Sequence, residues 1–264
     1  MIESSSTREP AVAGVFYPAG REELAATVRL LLDAAEVQGP VPKALIAPHA
    51  GYPYSGPIAA SAFRQAAPLR ERVCRVVLVG PSHFVAFSGL ASCGAAAFAT
   101  PLGRVEVDRE AEQALAAASL ARELPSAHAR EHCLEVELPF LQEVLGSFRM
   151  VPLVVGDTTA EEVGRALEQV WGGDETLVVV SSDLSHYLDY EAASRLDAAT
   201  ARAIEELRWT SIDPAQACGA LAIGALLWVA GRKGLRATTL DLRNSGDTAG
   251  PRDAVVGYGA WALA

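Results

Sequence analysis

The sequence predicts an α/β fold: a single domain with a central, mostly parallel sheet and helices on both faces. Two apolar runs, VVLV at 76–79 and LVVV at 177–180, lack the alternation of a half-exposed strand and indicate strands buried on both sides. Strand-like and helix-like segments alternate along the chain, as they do in parallel α/β folds. No linker, repeat or low-complexity segment interrupts the 264 residues, so we predict one domain over 1–264.

Helical periodicity and helix-ending residues define the elements before residue 122. Leucines and valines recur at helical spacing in the first helix, and Gly39 and Pro40 follow its end. Pro57 is favoured at the first position of the second helix, and Asp108 is predicted to N-cap the third. In order, the predicted elements are a loop or short edge strand at 11–20, a helix at 21–35, a strand at 43–47, a helix at 57–67, strands at 75–79, 90–99 and 103–107, and a helix at 109–121.

The second half of the chain continues this alternation. Asp157 or Thr158 is predicted to begin a helix, and the LVVV run forms the strand after it. The longest apolar stretch, 217–231, is shorter than the roughly 20 residues that span a bilayer, so we interpret it as a buried helix. In order, the predicted elements are a loop at 126–132, a helix at 134–145, a strand at 148–155, a helix at 158–170, a strand at 176–182, helices at 190–207 and 214–231, and strands at 236–242 and 253–262.

Composition and charge restrict the function classes. The net charge is −10 and no cluster of lysine or arginine is present, so we expect no nucleic-acid partner. The polar N-terminus lacks the apolar region of a signal peptide, and we expect no membrane segment. The cysteine spacing forms neither a CxxC redox motif nor a zinc knuckle, which favours reduced thiols in a cytoplasmic protein. The four cysteines are Cys74, Cys93, Cys133 and Cys218.

Three histidines lie just beyond predicted strands. His49, His83 and His186 each follow an apolar run in the loop that leaves it. In open α/β sheets, ligands bind beyond the carboxyl ends of the parallel strands, where such loops converge. A single histidine at such a position is more often a structural hydrogen-bonding residue. Three at equivalent positions indicate a shared metal or acid–base site at one edge of the sheet.

Carboxylates and a fourth histidine are candidates to complete this site. Asp183 precedes His186 by three residues. Asp247 follows the penultimate strand and reaches the same edge if that strand is parallel, although an aspartate in a Gly-containing turn is commonly just a turn residue. His132, beside a predicted helix start, is a further candidate.

Two neutral imidazoles and one carboxylate form the facial arrangement of non-haem Fe(II) oxygenases, with open positions for substrate and oxygen. We therefore predict His49, His83 and Asp247 as metal ligands. Zinc, held by three protein ligands and a water, fits the same residue types, and the choice among iron, zinc and copper stays open. His186, steered by Asp183, is predicted to exchange protons with the substrate, with His132 as the reserve candidate.

Seven segments of the chain together resemble one known family, the Memo family, which includes the bacterial members called AmmeMemoRadiSam system protein B. The resemblance runs in order over nearly the whole chain. It is carried by REPAVAGVFYP (8–18), APHAGYPYSG (47–56), GPSHF (80–84), EHCLEVELPFL (131–141), SSDLSHY (181–187), CGALAIG (218–224) and NSGDTAG (244–250).

The resemblance implies a fold similar to class III extradiol dioxygenases, with a metal site. The family's first two metal-binding histidines match His49 and His83, and its next site histidine and aspartate match His186 and Asp183. Some members place a cysteine ligand in the last loop. None of this chain's cysteines falls there, and Asp247 is the replacement candidate.

Three functions remain open from the sequence. The first is a non-haem Fe(II) enzyme of extradiol-dioxygenase type, or a related oxidoreductase, acting on an enediol or catechol-like small molecule. The second is a non-catalytic accessory module that binds a ligand or a peptide of a protein partner in the same cleft. The third is a zinc-type hydrolase, although the sequence contains no HExxH helix and no GxSxG turn.

Overall fold

Strands and helices alternate through residues 6–264, the part of the chain that the computed structural model describes. The strands are β1 (Thr7–Arg8), β2 (Ala44–Ala47), β3 (Arg75–Pro81), β4 (Leu90–Ser92), β5 (Ala97–Thr100), β6 (Gly103–Val107), β7 (Arg122–Glu123), β8 (Arg149–Val155), β9 (Thr176–Ser181), β10 (His186–Leu188), β11 (Ala237–Asn244) and β12 (Val255–Leu263). The α-helices are α1 (Arg21–Ala34), α2 (Tyr52–Phe63), α3 (Arg109–Ala117), α4 (Pro125–Ala129), α5 (Leu138–Leu145), α6 (Ala160–Val170), α7 (Tyr190–Glu205) and α8 (Ala220–Lys233).

The centre of the sheet consists of four parallel strands in the order β8-β3-β9-β2. Their side chains are buried along almost the whole length, on both faces. The apolar runs at 76–79 and 177–180 lie in β3 and β9, the two strands in the middle of this group. The predicted α/β fold with a mostly parallel central sheet is confirmed.

The sheet continues beyond this centre on both sides as a mixed sheet. On one side β6 pairs parallel to β8, and β5 and β1 follow. On the other side β12 pairs antiparallel to β2, and β11 pairs antiparallel to β12. Two antiparallel pairings in succession make β11 run in the same direction as β2. The end of β11, which leads to Asp247, therefore points to the same edge of the sheet as the ends of the parallel strands.

Helices cover both faces of the sheet, as predicted. On one face α1, α2 and α5 share an apolar core in which the rings of Phe63 and Phe140 stack with centroids 5.4 Å apart. On the other face α6 and α8 pack together over the second core. The apolar stretch interpreted as a buried helix is α8, with most of its positions buried. Within residues 6–264, every helix is too short or too polar to traverse a membrane.

Four helices begin at residues other than those predicted: α5 begins at Leu138 and α6 at Ala160, with Thr159 as its N-cap. The other two, α2 and α8, differ most and lie next to the candidate site. Helix α2 begins at Tyr52, because Pro53 occupies its first turn. Backbone N–H groups in a first turn have no helical acceptor, so the missing N–H of proline costs no hydrogen bond there. Pro57 lies inside α2 instead of starting it. Helix α8 begins only at Ala220. The predicted strand at 90–99 is two strands, β4 and β5.

Helix α6 has a capping box at its first turn. The Thr159 hydroxyl accepts from the Glu162 backbone N–H at 3.2 Å, and the Glu162 carboxylate accepts from the Thr159 N–H at 3.2 Å. We expect Thr159→Ala to lower the free energy of unfolding by about 1 kcal/mol, measured by urea denaturation, because one backbone N–H loses its acceptor. Thr159→Ser keeps the acceptor and should retain most of the stability. Equal losses in both variants would contradict the capping role.

Candidate metal centre

Three histidine rings converge at the edge of the sheet formed by the ends of the parallel strands. The ring centroids of His49 and His83 are 5.2 Å apart, those of His49 and His132 are 5.6 Å apart, and those of His83 and His132 are 4.8 Å apart. One nitrogen of each ring lies within 4.8 Å of the others, a spacing that allows all three to bind one metal ion. The structure thus brings together two histidines predicted as ligands and a third predicted as a catalytic residue.

The fold explains why His49 and His83 meet. His49 follows β2 and His83 follows β3, and these parallel strands flank β9 in the sheet. Their loops therefore leave the sheet at the same edge, one strand apart. His132 comes from a different kind of position, the loop between α4 and the 3-10 turn at Glu135–Glu137. Its place beside the other two could not be read from strand ends.

Hydrogen bonds behind His49 fix which of its nitrogens faces the centre. His49 Nδ1 lies 2.7 Å from the Ser181 hydroxyl oxygen, which is itself 2.7 Å from both the Cys133 carbonyl oxygen and a Glu137 carboxyl oxygen. The carbonyl can only accept, so it takes the single Ser181 proton. Burial raises the pKa of Glu137 well above its usual range and favours its neutral, donating form. His49 Nδ1–H then donates to Ser181, so the lone pair of the ring is on Nε2.

A buried carboxylate, Glu131, holds the other two histidines. It accepts from the His83 backbone N–H at 2.7 Å and lies 2.8 Å from His83 Nδ1. It also accepts from the backbone N–H groups of His132 at 2.9 Å and Cys133 at 3.1 Å. Burial alone would raise the pKa of Glu131, but these hydrogen bonds and the charge of His83 lower it to about 2. A carboxylate behind a ring N–H is the usual partner of a metal-binding histidine.

Glu131 was not among the residues predicted for the site. It stands directly before His132 in the chain, and an acidic residue beside a candidate histidine is the only signal that the sequence offers. A second possible metal group joins His83, Glu131 and Cys133. The oxygens of Glu131 already accept four hydrogen bonds, and burial raises the pKa of the Cys133 thiol well above its usual range. The three-histidine group is the better donor set.

Two of the three imidazoles, His49 and His132, are in the neutral state that metal binding requires. Burial lowers the pKa of His49 well below its usual range, and the neighbouring histidines lower it further. Burial also lowers the pKa of His132. Both rings are therefore neutral near pH 7. Three imidazole nitrogens suit the divalent ions of iron, zinc and copper, which all accept such ligands.

Asp183, His186 and His132 line a cavity of about 300 Å³ beside the three-histidine centre. Asp183 is buried, and its carboxylate accepts from the His49 backbone N–H at 2.8 Å. Burial raises the pKa of Asp183 to about 6. His186 is exposed at the pocket mouth, at the start of β10. The observed contact makes Asp183 a support of the His49 loop, and its predicted steering of His186 stays a prediction.

Asp247 lies at the same edge of the sheet but is not among the residues that form a possible metal group in the described part of the chain. Its two carboxylate oxygens accept from the Tyr190 hydroxyl at 2.6 Å and from the Asn244 backbone N–H at 3.0 Å. The second bond belongs to a capping box, so Asp247 acts as a turn residue, the alternative that its Gly-containing segment suggested. β12 separates β11 from β2, which keeps the Asp247 loop to one side of His49.

Cys218 approaches the centre from the side of α8. Its Sγ lies 3.5 Å from His49 Nε2. A Cβ on the next residue, Gly219, would lie 2.7 Å from the Ser182 side chain, so only glycine allows this close approach. Burial raises the pKa of the Cys218 thiol to about 12. Cys218 lies outside the three-histidine group and closes one side of the centre.

Comparisons with known proteins agree with the family resemblance of the seven sequence segments. A family model described as Memo-like protein matches residues 8–262. A protein of Aquifex aeolicus named MEMO1 family protein is 36% identical over 264 residues, covering 95% of this chain and 97% of that protein. A MEMO1 family protein of Aeropyrum pernix is 36% identical over 276 residues, covering 96% and 98%. One of Methanosarcina mazei is 36% identical over 268 residues, covering 96% and 97%.

Proposed function

Because this chain belongs to the Memo-like protein family, we propose that it is a metal-dependent oxidoreductase that binds Fe(II) through His49, His83 and His132. The observation that carries the proposal is the convergence of three imidazole rings, whose centroids lie 4.8 to 5.6 Å apart. Two of the rings have buried hydrogen-bond partners on the side away from the centre. Such partners orient metal-binding histidines in known sites.

In this proposal His132 replaces Asp247, the residue predicted from the sequence, as third ligand. The proposed donor set is therefore three histidines and no carboxylate. A bound ferrous ion supplies the redox chemistry by which dioxygen reacts with an organic substrate. The chain's own residues supply the pocket. His186, exposed at the pocket mouth, would exchange protons between the substrate and solvent. Asp183 holds the His49 loop by accepting from the His49 backbone N–H.

The substrate that we propose is a small organic molecule. The pocket volume of about 300 Å³ is at the lower end of the range for small-molecule sites. We also propose that the reaction takes place in the cytoplasm, because the four cysteines are free thiols, as is usual in a reducing compartment.

A zinc-type hydrolase is the second candidate, and one observation favours it. An all-histidine set of three is a known catalytic zinc arrangement, with water in the fourth position. Metal identity after anaerobic reconstitution separates the two candidates. Dioxygen consumption with a panel of catechols and enediols, against hydrolysis of esters and amides, then separates their reactions. Metal uptake without either activity would leave the accessory binding module as the function.

Metal uptake by single variants tests the ligand set. We expect His49→Ala, His83→Ala and His132→Ala each to weaken Fe(II) affinity by about 100-fold or more, since loss of an outer-shell partner alone costs roughly 10- to 100-fold. Equilibrium dialysis under anaerobic conditions, followed by metal analysis, measures the affinity.

Asp247→Asn is the matched control in the same experiment. Its oxygens already have other partners, so we expect its affinity to stay within about twofold of the unmodified protein. A large loss in Asp247→Asn together with a small loss in His132→Ala would restore the ligand set predicted from the sequence. Uptake that survives all three histidine substitutions would reject a metal centre at this place.

A further inference from the structure

Exposed apolar side chains gather around the mouth of the histidine pocket. Seven large apolar side chains are exposed among the described residues. Val15, Tyr54 and Tyr187 line the pocket together with His132. The Phe84 ring packs edge-on against the same histidine, with ring centroids 5.8 Å apart. Three of the seven exposed apolar side chains thus line one small pocket and a fourth packs edge-on against a histidine of that pocket, which favours a binding role over chance.

Tyr187 is the most exposed aromatic of this group, at 77%. Its backbone φ is +60°, in the left-handed region that a bulky L-residue rarely adopts. The pairing of β10 with β12 shifts register at the same place, between His186 and Leu188. A bulge of this kind redirects a side chain, and bulges are frequent beside active sites. Strain retained at an exposed tyrosine indicates that its position is needed for something other than folding.

The pocket between these side chains is polar at its buried end and mostly apolar at its mouth. Asp183 and His132 line the buried end, and the half-buried Phe16 lies beside them, while the exposed Tyr54, Tyr187 and His186 line the mouth. The Phe16 ring packs edge-on against His132 with centroids 4.9 Å apart, so the apolar lining begins directly at the proposed metal ligand. A volume of about 300 Å³ suits one small molecule with a polar head and a flat apolar body.

We propose that Tyr54, Phe84 and Tyr187 form an aromatic collar that selects ligands with a planar ring attached to a metal-chelating head. This inference rests on the proposed function, since the head is placed at the three-histidine centre. Aromatic side chains attract a ring through edge-to-face and offset contacts as well as through buried area. Tyr187 is the specificity-determining residue of the collar, because the bulge holds its side chain at the pocket mouth.

A matched pair of ligands tests the collar. Benzohydroxamate and acetohydroxamate carry the same chelating head, but only the first carries a ring. The protein is reconstituted with Co²⁺, whose visible absorption reports the binding of either ligand. We expect a preference of roughly 10-fold for benzohydroxamate, the size expected when one ring packs against aromatic partners. Tyr187→Ala should reduce that preference to below about threefold, whereas Tyr187→Phe should keep it.

Control measurements separate a binding role from a structural one. Leu30→Ala removes an equally exposed apolar side chain on α1 and should leave the preference unchanged. Tyr187→Gly should lose the preference yet unfold at the same or a higher urea concentration, because glycine adopts a positive φ without strain. A preference that persists in Tyr187→Ala and in Phe84→Ala would overturn the collar.

Metal uptake, measured first, keeps the two proposals apart. A protein that takes up Co²⁺ but binds both hydroxamates equally contradicts the collar alone. A protein that takes up no metal contradicts the proposed function. In that case the same two ligands are titrated by calorimetry into the metal-free protein, which tests the collar without a metal. Equal affinity for both ligands would overturn the collar.

Discussion

Replacing Glu131 by glutamine is expected to lower metal affinity by about 10- to 100-fold, although Glu131 itself is not a proposed ligand. Its two oxygens accept from two backbone N–H groups of the histidines, from Cys133 and from the His83 ring. A glutamine side chain presents an NH₂ group in place of one oxygen. Because every partner of Glu131 is a donor, that NH₂ faces a donor whichever way the amide turns.

The expected consequence is a displaced His83 ring or a displaced His132 loop, with less favourable metal geometry. Anaerobic equilibrium dialysis with Fe(II) measures the affinity of Glu131→Gln beside that of the unmodified protein. Glu123→Gln, an exposed position that pairs with Arg109 away from the centre, is the matched control and should bind normally. Normal affinity in Glu131→Gln would mean that the two histidines keep their positions without this carboxylate.

Replacing Glu135 by alanine is expected to lower the free energy of unfolding by about 3–5 kcal/mol, the range for breaking a buried ion pair from one side. Glu135 is fully buried and pairs with the buried guanidinium of Arg8. It also accepts from the backbone N–H groups of Ala11 at 2.7 Å and Val12 at 3.0 Å, and from the Tyr17 hydroxyl. The substitution leaves all of these donors without their acceptor.

Urea denaturation measures this loss, and the same samples show whether the site is affected. The segment that Glu135 holds carries Phe16, whose ring packs against His132, so we expect weaker metal binding as well. Glu9→Ala is the control in the same segment: Glu9 is exposed, and its removal should change stability by no more than about 0.5 kcal/mol. Similar stability losses in the two variants would contradict the role assigned to Glu135.

The central fold and half of the candidate site followed from local sequence patterns. Strands buried on both faces require continuous apolar runs, so β3 and β9 could be predicted from their local sequences alone. Parallel strands leave the sheet at one edge, so the strand assignments predicted that His49 and His83 share that edge, and the order β3-β9-β2 brings their ring centroids to 5.2 Å. Both inferences depend only on short segments and on general rules of sheet geometry.

The remainder of the site depends on tertiary contacts that local patterns do not encode. His132 lies on no strand, and it reaches the centre because Glu131 holds its loop against His83. Asp247 was predicted from the direction of β11, which was right, but direction does not reveal that Tyr190 and Asn244 occupy its oxygens. The same limit applies to α2, whose first turn is set by Pro53 and by contact of the Tyr52 N–H with the Phe16 carbonyl at 2.8 Å.

The hydrogen bonds behind His49 and His83 make the centre preorganised. Ser181 and Glu131 hold both rings in place through protein contacts alone, so an arriving ion has little left to order. Stabilisation by the ion then follows mass action, reaching about 2.7 kcal/mol at a free concentration 100 times the dissociation constant. A series of thermal melting curves at rising metal concentration would therefore report affinity directly. We expect a protein built in this way to release the proposed ion and regain it while remaining folded.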